Sequence, residues 1–280
     1  MKNILLILVS LFTFSACQEK IDLKLKSSDS KIVIEAKYSS LDKGISVFIS
    51  KSATYFGNDT IHGVKNANIL LTIGDTTVQL QSIQDGAYIA SLSDKYLFKT
   101  YKLSVLSEGK NYEATSIMPH VVKIDSVRIK EATGIMSRAG NGSGGNKDTT
   151  TQYTVNVYFK DPIGANYYKI ILYKNGVQLT DDPYSEEQVF DDSYFNSNIT
   201  INMPLSIKSM GKEVITVEMM SIDKASYDYY VSLLTTMSAA GGSFSVPENP
   251  LSNFNNDALG FFSAYGSDTV SAIVPMPKVK

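Results

Sequence analysis

The stretch YKLSVLSEGKNYEATSIM (residues 101–118) carries the pattern that decides the fold class. Tyr101, Leu103 and Val105 alternate with polar residues, as expected for a strand with one buried face, because successive side chains of a strand point to opposite sides. The tetrapeptide SEGK (107–110) then gives a tight turn, and a second alternating run follows. This combination is typical of a β-hairpin, so we predict two antiparallel strands here.

Similar strand-length runs precede this hairpin and bring the total to seven: KIVIEAKY (31–38), ISVFISKS (45–52), ANILLTIG (67–74), TTVQLQSI (76–83) and GAYIASL (86–92). Seven short strands separated by turn residues predict an immunoglobulin-like β-sandwich over residues 31–119. The Cys–Trp–Cys centre of antibody domains is missing, so the pattern predicts the architecture alone. Pro119 ends the unit, because proline cannot donate to a strand ladder.

The second half has longer and more aromatic strand runs: VVKIDSVRIKE (121–131), QYTVNVYFKDP (152–162), NYYKIILYKNG (166–176), NITINMPLSI (198–207) and EVITVEMMSID (213–223). Apolar residues then recur every three or four positions, which predicts an amphipathic helix near 224–239 with Ser221 or Asp223 as its N-cap. A tail ending in one or two strands follows. We therefore predict that residues 120–280 form a β-rich C-terminal domain.

The N-terminus has the pattern of a secretory signal. Lys2 precedes an apolar run that is too short to span a bilayer, and the small residues Ser15 and Ala16 follow. The sequence FSAC (14–17) resembles a bacterial lipobox, in which the cysteine after the cut carries acyl chains such as diacylglycerol and palmitate. We predict a lipoprotein signal peptide at 1–16, lipidation of Cys17 and a lipidated tether at 17–30. An unmodified thiol beside a cleaved signal is the alternative.

Charge and composition exclude several function classes. The 28 acidic and 26 basic side chains give a net charge of −2, which argues against nucleic acid or an anionic membrane surface as the main partner. Cys17 is the only cysteine, so neither internal disulfides nor a thiolate metal site can form. His62 and His120 belong to no metal-spaced pair, and no G-x-S-x-G motif occurs.

The stretch DDPYSEEQVFDDSYF (181–195) concentrates negative charge between two predicted strands. Carboxylates are ligands for calcium, and glycosidases use a carboxylate pair. The spacing matches no EF-hand loop, which favours a solvated loop and leaves a calcium site or a hydrolase pair as the alternatives. The residues that could form such a site are Asp181, Asp182, Glu186, Glu187, Asp191 and Asp192. Apart from calcium, we predict no cofactor.

Tyrosine is abundant, with 17 residues, and tryptophan is absent. Tyrosine offers a flat apolar ring with a polar tip, which suits contacts with sugars or proteins. Packing into the core is the alternative for each of them. The candidates for an aromatic binding surface are Tyr167, Tyr184, Tyr194 and Tyr229.

Several motifs together resemble one known family. After the lipobox and a short tether, they are KIVIE (31–35), TSIMP (115–119), DPIGANYY (161–168), SIDKASYDYY (221–230) and NFNNDALGFFSAY (253–265). In order and spacing the chain is similar to the Bacteroidota lipoprotein family catalogued as domain of unknown function 4249. One departure is Asp257-Ala258, where the family pattern often has a glycine.

The resemblance implies a lipid-anchored outer-membrane protein, facing the cell surface and encoded beside TonB-dependent receptors. It carries over no catalytic residue. We therefore predict a non-enzymatic lipoprotein that binds a nutrient or docks with a TonB-dependent transporter. The alternatives are a carboxylate-dependent glycan hydrolase that uses the acidic stretch, and a structural component of the envelope or an adhesin.

Overall fold

The computed structural model of the protein describes residues 30–52, 62–132, 150–179, 187–193, 200–240 and 249–277. The predicted mainly β class with one α-helix is confirmed: this part of the chain contains sixteen strands and one α-helix. None of its helices is long and apolar enough to cross a bilayer. Cys17, the signal peptide and the tether up to residue 29 lie outside the described residues.

Eight strands come first along the chain: β1 (Ile32–Ser39), β2 (Gly44–Lys51), β3 (Asn68–Ile73), β4 (Thr76–Gln79), β5 (Gln81–Gln84), β6 (Ala87–Ser91), β7 (Thr100–Ser107) and β8 (Lys110–Ile117). They pair in the orders β1-β2-β6-β5 and β4-β3-β7-β8. Lettered A to G, with β4 as C′, these are the two sheets of an immunoglobulin-like sandwich. Alternate side chains of both sheets fill one core, which includes Ile34, Tyr38, Ile69, Leu71 and Leu103.

The hairpin of β7 and β8 forms as the sequence predicts. Glu108 and Gly109 both have positive φ angles, of 50° and 77°. A two-residue turn of this kind matches the twist of the strands that it joins. Asn175 and Gly176, with φ of 50° and 83°, connect two later strands in the same way.

The run at 76–83 was predicted as a single strand, and that prediction is wrong. It divides at Leu80 into β4 and β5, which lie in different sheets. Leu80 is buried, and its amide donates to the carbonyl of Ile69 over 3.0 Å. Burial of this side chain draws the chain across the sandwich, so the run serves as a corner between the two sheets.

Tyr101 fastens the end of the sandwich where β7 begins. Its hydroxyl donates to the carbonyl of Tyr96 over 2.6 Å, at the end of a single 3₁₀ turn (Asp94–Tyr96). This is the tyrosine corner of immunoglobulin-like domains, in which a tyrosine early in the F strand bonds to the backbone a few residues upstream. The ring is fully buried and meets that of Tyr38 edge to face at 4.8 Å.

The second half contains β9 (Ile124–Glu131), β10 (Thr151–Lys160), β11 (Tyr167–Lys174), β12 (Val177–Gln178), β13 (Glu187–Asp191), β14 (Thr200–Ser209), β15 (Val214–Ile222), helix α1 (Lys224–Ala240) and β16 (Leu259–Ile273). A three-stranded sheet, β14-β10-β9, faces the strands β11, β15 and β16 across a second core. Helix α1 closely matches the predicted range of 224–239.

Strand β16 joins the two halves. Its first seven residues pair in parallel with β1, and its last eight pair antiparallel with β15, so one nine-stranded sheet runs through the molecule. Phe262 and Ala264 enter the first core, whereas Val274 enters the second. The end of the chain thus completes the N-terminal sandwich. The predicted division into two domains at residue 119 stays a prediction. These contacts show in addition that β16 is shared by both cores.

An asparagine-rich segment before β16 covers the outer edge of β8. The Asn255 side chain accepts from the amide of Glu113 over 2.8 Å, and the Asn255 amide donates to the Glu113 carbonyl over 3.1 Å. Asn253 and Asn256 donate to two other carbonyls of β8. Asp257, at the position where the family pattern often has a glycine, has a φ of 58°, a conformation that aspartate adopts more readily than most residues.

We predict that Gly260 is indispensable to the pairing of β1 with β16. Its φ is 89°, and a Cβ there would lie 2.2 Å from the carbonyl oxygen of Ile34. Gly74 also has a positive φ, but a Cβ there would meet nothing within 4 Å. In urea unfolding, Gly74→Ala should lower the free energy of unfolding by about 1–2 kcal/mol. Gly260→Ala should lower it by roughly 2 kcal/mol more. Equal losses would contradict the close approach.

Two tyrosines of the first core, Tyr38 and Tyr101, should respond in opposite ways to loss of the hydroxyl. Tyr101→Phe leaves the Tyr96 carbonyl without its donor and should cost about 1–3 kcal/mol in the free energy of unfolding. The buried Tyr38 hydroxyl has no hydrogen-bond partner among the described residues, so Tyr38→Phe should be neutral or stabilising. Thermal unfolding followed by circular dichroism measures both, and a larger loss for Tyr38→Phe would refute this account.

Candidate functional site

Helix α1 lies on the face of the nine-stranded sheet that points away from both cores. Asp223 caps its N-terminus, with Oδ1 accepting from the amide of Ser226 over 2.8 Å. Its Oδ2 accepts from the Ile117 amide over 2.9 Å, which ties the helix to the end of β8. Ser221, the alternative cap, accepts instead from the Val122 amide over 3.2 Å. One carboxylate thus starts the helix and fixes it to the N-terminal sandwich.

Five half-buried tyrosines lie on helix α1 or on strand β11 beside it, and we call them the aromatic face: Tyr167, Tyr173, Tyr227, Tyr229 and Tyr230. The rings of Tyr167 and Tyr227 lie 5.1 Å apart. Tyr229 stacks on Phe261 of β16 at 4.6 Å, with the planes inclined by only 15°. The structure therefore brings together two of the predicted surface tyrosines, Tyr167 and Tyr229, on one side of the sheet.

The sequence identified Tyr227 and Tyr230 only as part of the apolar side of the helix. Both pack against a third, smaller buried cluster between the helix and the sheet, which consists of Ile171, Met220, Ile222 and Tyr265. Lys169 was not predicted at all, although its ammonium lies 4.1 Å from the ring centre of Tyr230. A lysine directly after a tyrosine pair on a strand was the available signal, since it shares a face with the first tyrosine.

The surroundings raise the pKa of two tyrosines of the aromatic face, Tyr227 and Tyr229. Burial raises the pKa of Tyr229, and the carboxylate of Glu35 on β1 adds to the effect. Burial and then Asp191 raise the pKa of Tyr227. Beneath them, Glu218 is buried and accepts from the Tyr173 hydroxyl over 2.8 Å and from the Ser267 hydroxyl over 2.6 Å. Tyr227 and Tyr229 therefore present uncharged hydroxyls at neutral pH.

The acidic stretch is partly a strand. Glu187–Asp191 forms β13, which pairs with β11, so the favoured solvated loop is wrong for these five residues. Cross-strand hydrogen bonds with the aromatic β11 explain the difference. Asp181, Asp182, Glu186, Tyr184 and Tyr194 lie outside the described residues, as does the side chain of Glu187.

The two described aspartates of this stretch bind different groups. Asp191 accepts from the hydroxyl of Ser193 over 2.5 Å, which lowers its pKa. Asp192 accepts from the backbone amide and the side-chain amide of Asn166, over 3.0 and 3.2 Å. Within the described ranges, no three His, Cys, Asp or Glu side chains form a group that could hold a metal. Calcium binding by the whole stretch stays a prediction.

Asp161, which sequence reasoning did not single out, is a fully buried carboxylate. Oδ1 accepts from the Tyr168 hydroxyl over 2.6 Å, whereas Oδ2 has no partner among the described residues. Burial raises its pKa, the Tyr168 hydroxyl opposes that shift, and Asp192 reinforces it. Because the side chain is closed off from solvent, we assign it to the second core and not to a catalytic site.

Asp161 should make the stability of the protein depend on pH. The folded protein holds this proton more tightly than the unfolded chain, so the stabilisation is complete below the ordinary pKa of 3.8 and is lost as pH rises through the folded value. Relative to the wild type, Asp161→Asn should therefore gain stability between about pH 4 and 7. Urea titrations at a series of pH values measure this difference.

Tyr168→Phe is the matched control, because it removes the donor that stabilises the ionised form of Asp161. Its stability should fall more steeply with pH than that of the wild type. Parallel curves for all three proteins would show that Asp161 does not titrate as described.

The chain is similar to several solved structures and to one protein family. Three solved structures are similar at low identity, and each match covers 68% of this chain. A DUF3823 family protein from Bacteroides ovatus ATCC 8483 is 11% identical, with 89% of that chain covered and a TM-score of 0.22. A DUF4785 family protein from Legionella pneumophila is 10% identical with 52% of that chain covered, and a candidate carbohydrate-binding protein from Bacteroides uniformis ATCC 8492 is 12% identical with 88% covered; both have a TM-score of 0.21. Scores this low support no conclusion about this chain.

None of the curated proteins matches the chain at a significant level. The family of domain of unknown function 4249, in contrast, matches residues 18–271, which confirms the resemblance noted from the sequence motifs. Since this match covers nearly all of the described strands and the helix, the chain belongs to the DUF4249 family.

Proposed function

We propose that the protein is a lipid-anchored, non-catalytic binding protein of the outer membrane, which docks with a TonB-dependent transporter through the aromatic face. The FSAC sequence at 14–17 supports the anchor. The aromatic face supports the docking, and it is the observation that carries the proposal. The buried and half-buried carboxylates described above serve the fold as helix caps and hydrogen-bond acceptors, as Asp223, Glu218 and Asp192 show.

The aromatic face has the composition of a protein interface. Tyrosine and arginine are enriched and most charged residues are depleted at the centres of such interfaces. A tyrosine ring buries a large area and has few rotatable bonds, so binding orders it at a small entropic cost. Here the rings are already held, since Tyr229 stacks on Phe261 and Tyr230 contacts Lys169. Such pre-organisation favours affinity.

The position of the face suits a partner in the membrane. The tether enters the fold at the start of β1, and Phe261 pairs with Glu35, three residues into that strand. At about 3.3 Å per residue, the Tyr229–Phe261 stack lies roughly 10 Å along the sheet from the point of attachment. This part of the aromatic face therefore lies near the end of β1 that the predicted tether at 17–30 would connect to the lipidated Cys17.

The hydrogen bonds of Asp191 and Asp192 support the non-catalytic part of the proposal. Glycosidases need one carboxyl group to deliver a proton and a second to attack or to activate water. Asp191 is engaged by Ser193 and Asp192 by Asn166, so each already has a structural role. A screen of glycans with Asp191→Asn and Asp192→Asn tests the hydrolase alternative, because turnover by the wild type that these variants lack would refute a pure binder.

We expect Tyr230→Ala to reduce recovery of a TonB-dependent transporter from detergent-solubilised outer membranes by about tenfold, the loss produced by removing 1.4 kcal/mol of binding. Tyr158→Ala is the matched control. Tyr158 is also half-buried and also contacts a cation, with Arg128 at 5.1 Å from its ring centre, but it lies on the outer side of the β14-β10-β9 sheet.

The assay uses the full-length lipidated protein as bait and identifies captured proteins by mass spectrometry. Both variants should unfold at temperatures close to each other, so that folding does not explain a difference in capture. Failure of the wild type to recover a transporter, or equal losses for the two variants, would contradict docking through the aromatic face.

A further inference from the structure

A cleft of about 460 Å³ opens at one end of the N-terminal sandwich, between the β3–β4 turn and the segment before β7. We call it the corner cleft, because it lies beside the tyrosine corner. Its volume is in the range of small-molecule sites. The residues that line it are Ile73, Gly74, Lys95, Tyr96, Lys99 and Thr100.

The charges of the corner cleft are all positive. Lys95 and Lys99 line it, no acidic side chain does so, and neither lysine has an ion pair within the described part of the chain. The nearest acid in sequence, Asp94, is already paired with Lys43 at 2.9 Å. The cleft therefore offers two ammonium groups to an anion without a competing carboxylate on its wall.

The remaining wall is aromatic, aliphatic and hydroxylated. The Lys95 ammonium lies 4.7 Å from the ring centre of Tyr96. The Tyr96 hydroxyl is hydrogen-bonded by Thr76, and together with Lys95 this lowers its pKa. Ile73 adds an apolar surface, and Thr100 adds a second hydroxyl group. This mixture suits a ligand with carbon-rich faces, many hydroxyls and a negative charge.

The backbone around the cleft is held rigidly. The Tyr101 hydroxyl binds the carbonyl of Tyr96, and the Met118 amide donates to the carbonyl of Lys99 over 3.0 Å. Between these points Phe98 has a φ of 54°, an unfavourable value for a bulky side chain, and its ring packs on His120 at 4.6 Å. Strain of this kind persists where the surroundings enforce it, and it is concentrated at functional sites.

The corner cleft lies at the opposite end of β1 from the tether. Lys43 lies in the turn after β1. Its ammonium pairs with Asp94, and its backbone carbonyl accepts from the amide of Leu92 over 2.7 Å. Since β1 has eight residues, the cleft is roughly 25 Å along the strand from the tether. If the proposed anchor holds, the cleft faces away from the membrane, although binding in the cleft does not depend on the anchor.

We propose that the corner cleft binds an acidic oligosaccharide, with Lys95 and Lys99 contacting its carboxylate or sulfate group and Tyr96 packing against a sugar ring. A peptide rich in acidic residues shares the charge but lacks the ring faces and hydroxyls that match Tyr96 and Thr100. The cleft is thus a second binding site, separate from the aromatic face.

Isothermal titration calorimetry of the full-length protein in detergent micelles tests the proposal with four probes, which are three sugars and the acidic peptide hexaglutamate. Trigalacturonate carries carboxylates, a chondroitin sulfate tetrasaccharide also carries sulfates, and neutral trigalactose carries neither. We expect the wild type to bind at least one acidic probe at least about tenfold more tightly than trigalactose. Binding of neither acidic sugar, or binding of hexaglutamate alone, would overturn the assignment.

The double variant Lys95→Gln/Lys99→Gln should weaken binding of the acidic sugar at least about tenfold. The matched control, Lys37→Gln/Lys110→Gln, makes the same change in net charge at exposed positions outside the cleft and should alter binding less than about twofold. Tyr230→Ala should bind like the wild type, which separates this site from the docking surface. Equal weakening by both double variants would mean that net charge alone attracts the sugar, and would overturn the proposal.

Discussion

The parallel pairing of β1 with β16 is the contact on which the rest of the structure depends. It places the end of the chain beside its first strand, with the amide of Ser267 donating to the hydroxyl of Ser40 across 227 positions. Because the same strand continues into the second sheet half, neither core is complete without it. Gly260 permits this pairing, since only a residue without a Cβ fits against the Ile34 carbonyl. Contacts this distant in sequence make folding slow.

Hydrogen bonds from backbone amides to side-chain oxygens, and not ion pairs alone, hold the connection between the two cores in place. Three amides lie at the end of β8, at the start of β9 or between them, and they belong to Ile117, Ile124 and Val122. The side chains of Asp223, Ser221 and Asp268 accept from them. These acceptors come from the cap of α1, from β15 and from β16, so three elements of the second half position one short link. The same contacts hold the aromatic face in place, because Asp223 also caps helix α1, which carries three of its five tyrosines.

Local features could be predicted from the sequence, and long-range ones could not. The turns at Glu108-Gly109 and Asn175-Gly176 follow from the φ angles that those residues tolerate, and the helix follows from its period and cap. Leu80 gave no local sign that it would divide a strand, because its burial depends on two sheets that meet only in the fold. The contacts of Tyr229 with Phe261 and of Asp192 with Asn166 join distant elements. Sequence therefore identified the residue types of the candidate site and missed their grouping.

The asparagine segment over β8 has a consequence for the proposed attachment to a membrane. Proteins attached to a bilayer meet one another in two dimensions at high local concentration, where an open strand edge would act as a template for pairing with the next molecule. Asn253, Asn255 and Asn256 occupy that edge with hydrogen bonds from the same chain. In a protein with the proposed anchor, these three amide side chains would protect this edge of the sandwich from pairing with a neighbouring molecule.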